Sequence, residues 1–208
     1  EWPDYVHTAG YFYLDSDTGV LDEKIETFLK KNEDEKPVFF SFGSMKFADP
    51  KKTLELATAI RKKLGYRVIL SAGWMEFADS DIPQDEDFLF IKGAPYDLLF
   101  PRCSVIVHHG GAGTTASALL AGVPQVVLAF FVDQPFWAAA MKKIGVGANP
   151  LEYQKLEEKD LLENVKLAHD DPGLIKRAAE IGAKIQQEKG ASKAVEIIAK
   201  LVKDLVPT

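Results

Sequence analysis

Short apolar runs alternate with segments of helical periodicity along most of the chain. The runs are apolar almost throughout, as expected of strands that are covered on both faces. The predicted strands span residues 38–42, 66–71, 88–91, 104–108 and 125–129. The predicted helices span residues 50–64, 112–121, 135–144, 157–169, 173–188 and 192–205. This alternation predicts an α/β fold in which helices cover both faces of an open parallel sheet.

The length of the chain fits one such unit. Its 208 residues, of which 47% are hydrophobic, are enough to bury a sizeable core. We interpret residues 1–208 as a single domain, with a linker-like segment at 1–20, a core at 21–188 and a C-terminal helix at 189–208. Because the chain opens on Glu1 rather than Met, we expect it to derive from a longer protein.

A glycine cluster follows the fourth predicted strand and opens a helix. It reads His109-Gly110-Gly111-Ala112-Gly113-Thr114-Thr115. Glycines let backbone N–H groups come close to a ligand, and the first turn of a helix adds unpaired donors and a partial positive charge. The cluster therefore predicts a phosphate or diphosphate site.

The loop after the fifth predicted strand carries a second polar pattern. Asp133 and Gln134 place a carboxylate beside a carboxamide, a pair that suits a polyhydroxylated group. Marked residues also follow the first three strands, namely Gly43-Ser44, Trp74 and Ala94-Pro95. Since open parallel sheets bind ligands at the carboxyl ends of their strands, we expect all five loops to border one cleft.

These motifs resemble the donor signature of family 1 glycosyltransferases, in particular the sterol glucosyltransferases and their bacterial relatives. The resemblance is carried by residues 108–121, by Gly122-Val123-Pro124 and by Asp133-Gln134, and extends through residues 41–44, 71–74 and 94–101. It implies the Rossmann-like, donor-binding half of a two-domain GT-B glycosyltransferase. The sequence departs from the family pattern at Ala129, where proline is usual, and at Val132, where glycine is usual.

The resemblance also implies a role for each marked residue. The diphosphate would be bound by Gly43, Ser44, His109, Gly111, Ala112, Gly113 and Thr114. Uridine would lie at Ala94 and Pro95, with Trp74 as a candidate apolar wall, and the sugar at Asp133 and Gln134. His108 points to the opposite side of its strand from His109, so we interpret it as a hydrogen-bonded core or rim residue.

The implied reaction is the transfer of a hexose from UDP-glucose, or another UDP-sugar, to a sterol or other lipophilic alcohol, with inversion. The UDP-sugar would be a co-substrate, and the scheme needs no cofactor and no metal. The family's catalytic base is a histidine of the acceptor domain, and none of the four histidines here has its context. We therefore expect no catalytic residue in this chain and at most trace activity without an N-terminal acceptor domain. We also expect a homodimer or a frayed C-terminus, because part of the C-terminal helix would lack the cover of the first domain. The C-terminal helix would expose an apolar stripe formed by Ala194, Val195, Ile198, Leu201, Val202 and Leu205.

Two other functions stay open at this point. The chain could be a non-catalytic subunit that binds the nucleotide sugar and completes an active site with a separate acceptor-binding chain. It could also be an NAD-binding oxidoreductase domain, because Gly111-x-Gly113-x-x-Ala116 and Asp133 satisfy the dinucleotide spacing. That fingerprint normally follows the first strand of its domain, whereas this one follows the fourth.

Charge and composition exclude several other classes. The net charge of -6 and the pI near 5.3 argue against a nucleic-acid partner. The single cysteine, Cys103, excludes an internal disulfide and fits a reducing compartment such as the cytoplasm, where a longer protein could associate peripherally with a membrane. No apolar run is long enough to span a membrane, and no carboxylate or thiol lies at metal-ligand spacing beside the two adjacent histidines. We interpret the acidic residues 79–87 as a solvated loop.

Overall fold

A computed structural model of the chain describes residues 2–13, 19–45 and 48–205, except for the side chains of residues 204 and 205. Parts of the predicted segments lie outside this description. They are residues 1 and 14–18 of the linker-like segment, residues 46 and 47 of the core, residues 206–208 of the C-terminal helix, and the side chain of Leu205 in the apolar stripe.

Six parallel strands form one sheet in the order β3-β2-β1-β4-β5-β6. The strands are β1 (Val38–Ser41), β2 (Val68–Ser71), β3 (Phe88–Ile91), β4 (Val105–His108), β5 (Gln125–Ala129) and β6 (Leu151–Glu152). The helices are α1 (Glu23–Lys31), α2 (Pro50–Ala59), α3 (Tyr96–Leu99), α4 (Ala112–Ala121), α5 (Gln134–Ile144), α6 (Glu158–Asp170), α7 (Pro172–Ile185) and α8 (Gly190–Leu205). The predicted open parallel α/β sheet is confirmed.

Helices pack on both faces of this sheet because side chains alternate between its two sides. On β1, Val38 and Phe40 belong to one apolar layer, which includes residues of α2 and α6. Phe39 belongs to the opposite layer, with residues of α1 and α4. All three side chains are fully buried, which explains why the strand reads as a continuous apolar run.

Three elements are absent from the pattern-based prediction, namely α1, α3 and β6. Helix α1 did carry a signal, because Ile25, Phe28 and Leu29 have helical spacing and the Asp22 side chain accepts a hydrogen bond from the Lys24 N–H. Strand β6 has only two residues, too few to show a period. None of the described helices could cross a membrane, given their length and apolar content.

Two predicted features need correction. Strand β2 begins at Val68 rather than at residue 66, although the Arg67 carbonyl still accepts a hydrogen bond of 2.8 Å from the Val38 N–H of β1. The acidic residues 79–87 are not simply solvated. Asp85 and Asp87 accept hydrogen bonds from the Arg61 guanidinium, and Asp87 also pairs with Arg67.

The order of the strands determines where a ligand can bind. The chain runs outward from β1 to β3 and then returns across the sheet to β4, which pairs with β1. Ser41 at the end of β1 lies opposite His108 at the end of β4. The loops after β1 and β4 therefore leave the sheet side by side at its topological switch point, where open α/β sheets bind ligands.

Candidate functional site

The loops after β1 and β2 are in backbone contact. The Trp74 N–H donates a hydrogen bond of 2.9 Å to the Gly43 carbonyl. Gly73 has a positive φ of 59°, and a Cβ there would overlap the Gly43 carbonyl oxygen. Only glycine fits this close approach, which brings the loops of Gly43 and Trp74 against each other.

The imidazole of His109 lies between two glycines. A Cβ on Gly43 would be 3.2 Å from its Cε1, and a Cβ on Gly111 would overlap its Nε2. The structure thus brings together Gly43 from the β1 loop with His109 and Gly111 from the β4 loop. Ser44 lies beside Gly43 with an exposed side chain, and its phosphate contact stays a prediction.

The electrostatic environment of His109 keeps its ring neutral. Burial lowers the pKa of His109 below its usual range, and the opposing effect of Asp133 is smaller. Its Nδ1 is buried and has no hydrogen-bond partner among the described residues. A buried ring nitrogen without a partner is costly, and this one lies at the expected ligand site.

The prediction that His108 is a hydrogen-bonded core residue is confirmed. It is fully buried, and its Nδ1 accepts a hydrogen bond of 3.1 Å from the Gly110 N–H. The proton must then reside on Nε2, which donates to the Gln125 Oε1 at 2.9 Å. Both ring nitrogens are therefore engaged in hydrogen bonds. Burial lowers the pKa of His108 to about 3, so the ring is neutral.

Helix α4 presents a free N-terminus to this loop. Gly111 is its N-cap, and no side chain caps the helix. The N–H groups of Ala112, Gly113 and Thr114 therefore have no partner within the helix, and they carry its positive end. This geometry suits an anion, as the glycine cluster predicts.

The loop after β5 joins the same assembly through Gln134. Its buried Oε1 accepts hydrogen bonds from the N–H groups of Phe130 at 2.7 Å and Phe131 at 3.3 Å, and its Nε2 lies 3.5 Å from the Met45 sulfur. The carboxamide thus ties this loop to the β1 loop. A hydrogen bond from Nε2 to a sugar hydroxyl stays a prediction.

Asp133 is exposed next to this anchored glutamine. It occupies the N-cap position of α5, but its side chain caps no backbone N–H. Its Oδ2 accepts a hydrogen bond of 2.9 Å from the Trp137 Nε1. The sequence analysis did not identify Trp137. The available signal was its position four residues after Asp133, a spacing that brings two side chains together on a helix.

An open cavity of about 720 Å³ borders the predicted uridine site. Ala94 and Gly113 both line it, and it extends along α4 as far as Ala121. Pro95 is the N-cap of α3 beside it. Trp74 is outside the cavity lining, and its contact with uridine stays a prediction. The aromatic lining is formed instead by Tyr96 and by residues 11–13. The Tyr-Phe-Tyr sequence of residues 11–13 is an aromatic cluster that the sequence analysis did not identify as part of a site.

Val132 is strained in the loop between β5 and α5. It has a φ of +60°, a left-handed conformation that is unfavourable for β-branched residues, and its side chain is 83% exposed. The backbone thus keeps a glycine-like conformation although the residue is valine.

Replacing Val132 with glycine should stabilise the chain by about 0.5–1 kcal/mol. Relief of roughly 1–2 kcal/mol of left-handed strain outweighs the greater entropy that glycine has in the unfolded state. Thermal unfolding should show a rise of roughly 1–4 °C. Val20→Gly is the matched control, because Val20 is also exposed but has no positive φ. An unchanged or lower melting temperature for Val132→Gly would contradict the strain argument.

The sequence is similar to glycosyltransferases over almost its whole length. Residues 80–203 match the family described as Erythromycin biosynthesis protein CIII-like, C-terminal domain. O-mycaminosyltylonolide 6-deoxyallosyltransferase of Streptomyces fradiae is 33% identical over 95% of this chain and 45% of its own length. A sterol 3-beta-glucosyltransferase of Arabidopsis thaliana is 32% identical over 94% of this chain and 32% of its own length. The chain thus spans less than half of either relative.

Solved structures agree on the fold. A calicheamicin glycosyltransferase superposes with a TM-score of 0.74 at 18% identity, over 85% of this chain and 46% of that one. Spinosyn forosaminyltransferase superposes with a TM-score of 0.70 at 24% identity, over 88% of this chain and 47% of that one. With a GT-B half-fold and a family match over more than half of its residues, the chain belongs to the erythromycin CIII-like C-terminal domains of family 1 glycosyltransferases.

Proposed function

We propose that this chain is the donor-binding half of an inverting glycosyltransferase that uses a UDP-hexose. The observation that carries the proposal is the enclosure of His109 between Gly43 and Gly111, beside the free N-terminus of α4. This arrangement offers an imidazole and a set of backbone N–H groups to one anion. It suits a diphosphate leaving group, whose developing charge such donors stabilise.

The remaining contacts follow the path of a nucleotide sugar. The base lies in the cavity at Ala94, the diphosphate lies at residues 43–44 and 109–114, and the sugar lies beside Asp133. Asp133 is near enough to His109 to affect its pKa, which supports adjacent sugar and phosphate subsites. In this scheme the UDP-sugar is a co-substrate, and no cofactor or metal takes part.

The catalytic base comes from outside this chain in our proposal. Both ring nitrogens of His108 are engaged, and His109 serves the diphosphate. His169 forms a hydrogen bond with Asp170 and stacks on Tyr66. Tyr66 precedes β2, so this pair lies near the amino end of that strand, whereas the candidate site lies at the carboxyl ends. A separate acceptor-binding domain or chain therefore supplies the base and binds the alcohol. Val195, Ile198 and Val202 of α8 are exposed and form an apolar face for it.

The acceptor is a lipophilic alcohol in this proposal. The two relatives are named for a sterol and for a macrolide derivative, both bulky hydroxylated molecules, but for different sugars. UDP-glucose is therefore the first donor to test.

UDP should bind the 208-residue chain and raise its melting temperature. Ligand at about 100 times its dissociation constant stabilises a folded protein by about 2.7 kcal/mol, or roughly 5–10 °C here. Calorimetric titration gives the affinity, and NAD at the same concentration is the control. The fingerprint at residues 111–116 follows β4 rather than β1, so we expect no shift with NAD. Binding of NAD without binding of UDP would exclude the proposed function.

A further inference from the structure

Asp133 depends on a neighbour for its orientation. The carboxylate is exposed and caps no backbone N–H, so the polypeptide backbone does not fix its rotamer. The contact that does is the hydrogen bond from the Trp137 indole to Oδ2, at 2.9 Å. The other oxygen, Oδ1, has no hydrogen bond within the described part of the chain and is free to accept one from a ligand.

Trp137 itself packs against several neighbours. Its ring packs against the apolar cluster that contains Leu119 and Met141. Phe136 contacts it edge-on, with ring centroids 5.4 Å apart, and Tyr11 lies 6.4 Å away on the N-terminal segment. The indole N–H therefore points at Asp133 from a packed, well-defined position.

The same surroundings connect the carboxylate to the N-terminal segment. Burial raises the pKa of Tyr11, and the charge of Asp133 raises it further, so the phenol and the carboxylate share one local environment. Tyr11 and Asp133 thus both lie next to Trp137.

We propose that Trp137 is a positioning residue for sugar recognition: its indole N–H holds the Asp133 carboxylate so that one oxygen faces the hydroxyls of the donor sugar. This inference rests on the proposed function, and it concerns the sugar alone. A smaller aromatic ring without an N–H would keep an aromatic contact at this position but leave the carboxylate free to rotate.

The test is Trp137→Phe, with the affinities for UDP and UDP-glucose measured by calorimetry. UDP affinity should not change, whereas UDP-glucose affinity should fall by about 3- to 10-fold, the equivalent of one modest hydrogen bond. Trp2→Phe makes the same change at an exposed site and should affect neither ligand. Equal losses for both ligands would assign Trp137 a merely structural role and overturn the inference, as would no loss at all.

A double-mutant cycle tests whether Trp137 acts through Asp133. If it does, Trp137→Phe should have no further effect on UDP-glucose affinity in an Asp133→Ala background. The indole N–H resonance of Trp137 should also shift in Asp133→Ala without any ligand. Additive losses, or an unshifted resonance, would overturn the inference. Failure of the unsubstituted chain to bind UDP is a different result, because it would remove the proposed function itself.

Discussion

Arg67→Ala should destabilise the chain by about 3–5 kcal/mol, because it leaves three backbone carbonyls without the donor of their charged hydrogen bonds, at about 1–3 kcal/mol for each buried group. Arg67 is 2% exposed. Its guanidinium donates to the carbonyls of Asn32 at 2.9 Å and Glu35 at 3.2 Å, and to that of Phe28. It also pairs with Asp87 at 3.4 Å. Urea unfolding should show a lower midpoint with little change in slope.

Arg61→Ala is the matched control for this substitution. Arg61 pairs with both Asp85 and Asp87, but its side chain is 24% exposed and both ion pairs are open to water. Such pairs contribute at most about 1 kcal/mol. Comparable destabilisation by both substitutions would mean that the Asp87 pair, rather than the burial of Arg67, decides the effect.

Much of the fold was predictable because the central strands are buried on both faces. Strands β3 and β5 have the predicted bounds, and α4 begins and ends where expected because glycines flank it at 111 and 122. Gly122 adopts a left-handed conformation that ends the helix. Strong local signals and tertiary packing agree at these positions, so a sequence pattern is enough.

The contacts that shape the site were harder to predict, because they join residues from different loops. Gly73 gives no local sign that the Gly43 carbonyl lies against it. Gln134 was expected to face a sugar, yet its Oε1 is occupied by the backbone of its own loop. Arg67 follows Tyr66 in a strand-like run, and nothing in that run shows that its guanidinium bonds carbonyls near the end of α1. Each of these contacts depends on how two loops or elements pack together, and the spacing of hydrophobic residues along the chain carries no information about that packing.

The proposed roles of His109 in diphosphate binding and of Asp133 in sugar binding can be tested by comparing His109→Ala with Asp133→Ala. His109→Ala should weaken UDP and UDP-glucose alike, by about 1.5–3 kcal/mol, because it removes a hydrogen bond to a charged phosphate. That loss is roughly a 10- to 150-fold rise in the dissociation constant. Asp133→Ala should spare UDP and weaken UDP-glucose alone, because only the intact sugar nucleotide reaches the carboxylate. Calorimetric titration of both ligands into each variant gives the four values needed.

His7→Ala is the control for the histidine substitution, since His7 is exposed on the N-terminal segment. It should leave both affinities unchanged. The burial of His109 adds a second expectation: the ring is neutral in the free chain, so its contribution should persist at pH 8 rather than disappear as an imidazolium would. Equal losses of UDP affinity in His109→Ala and Asp133→Ala would contradict separate phosphate and sugar subsites. If His109→Ala weakened UDP-glucose but not UDP, the placement of the diphosphate at α4 would be wrong.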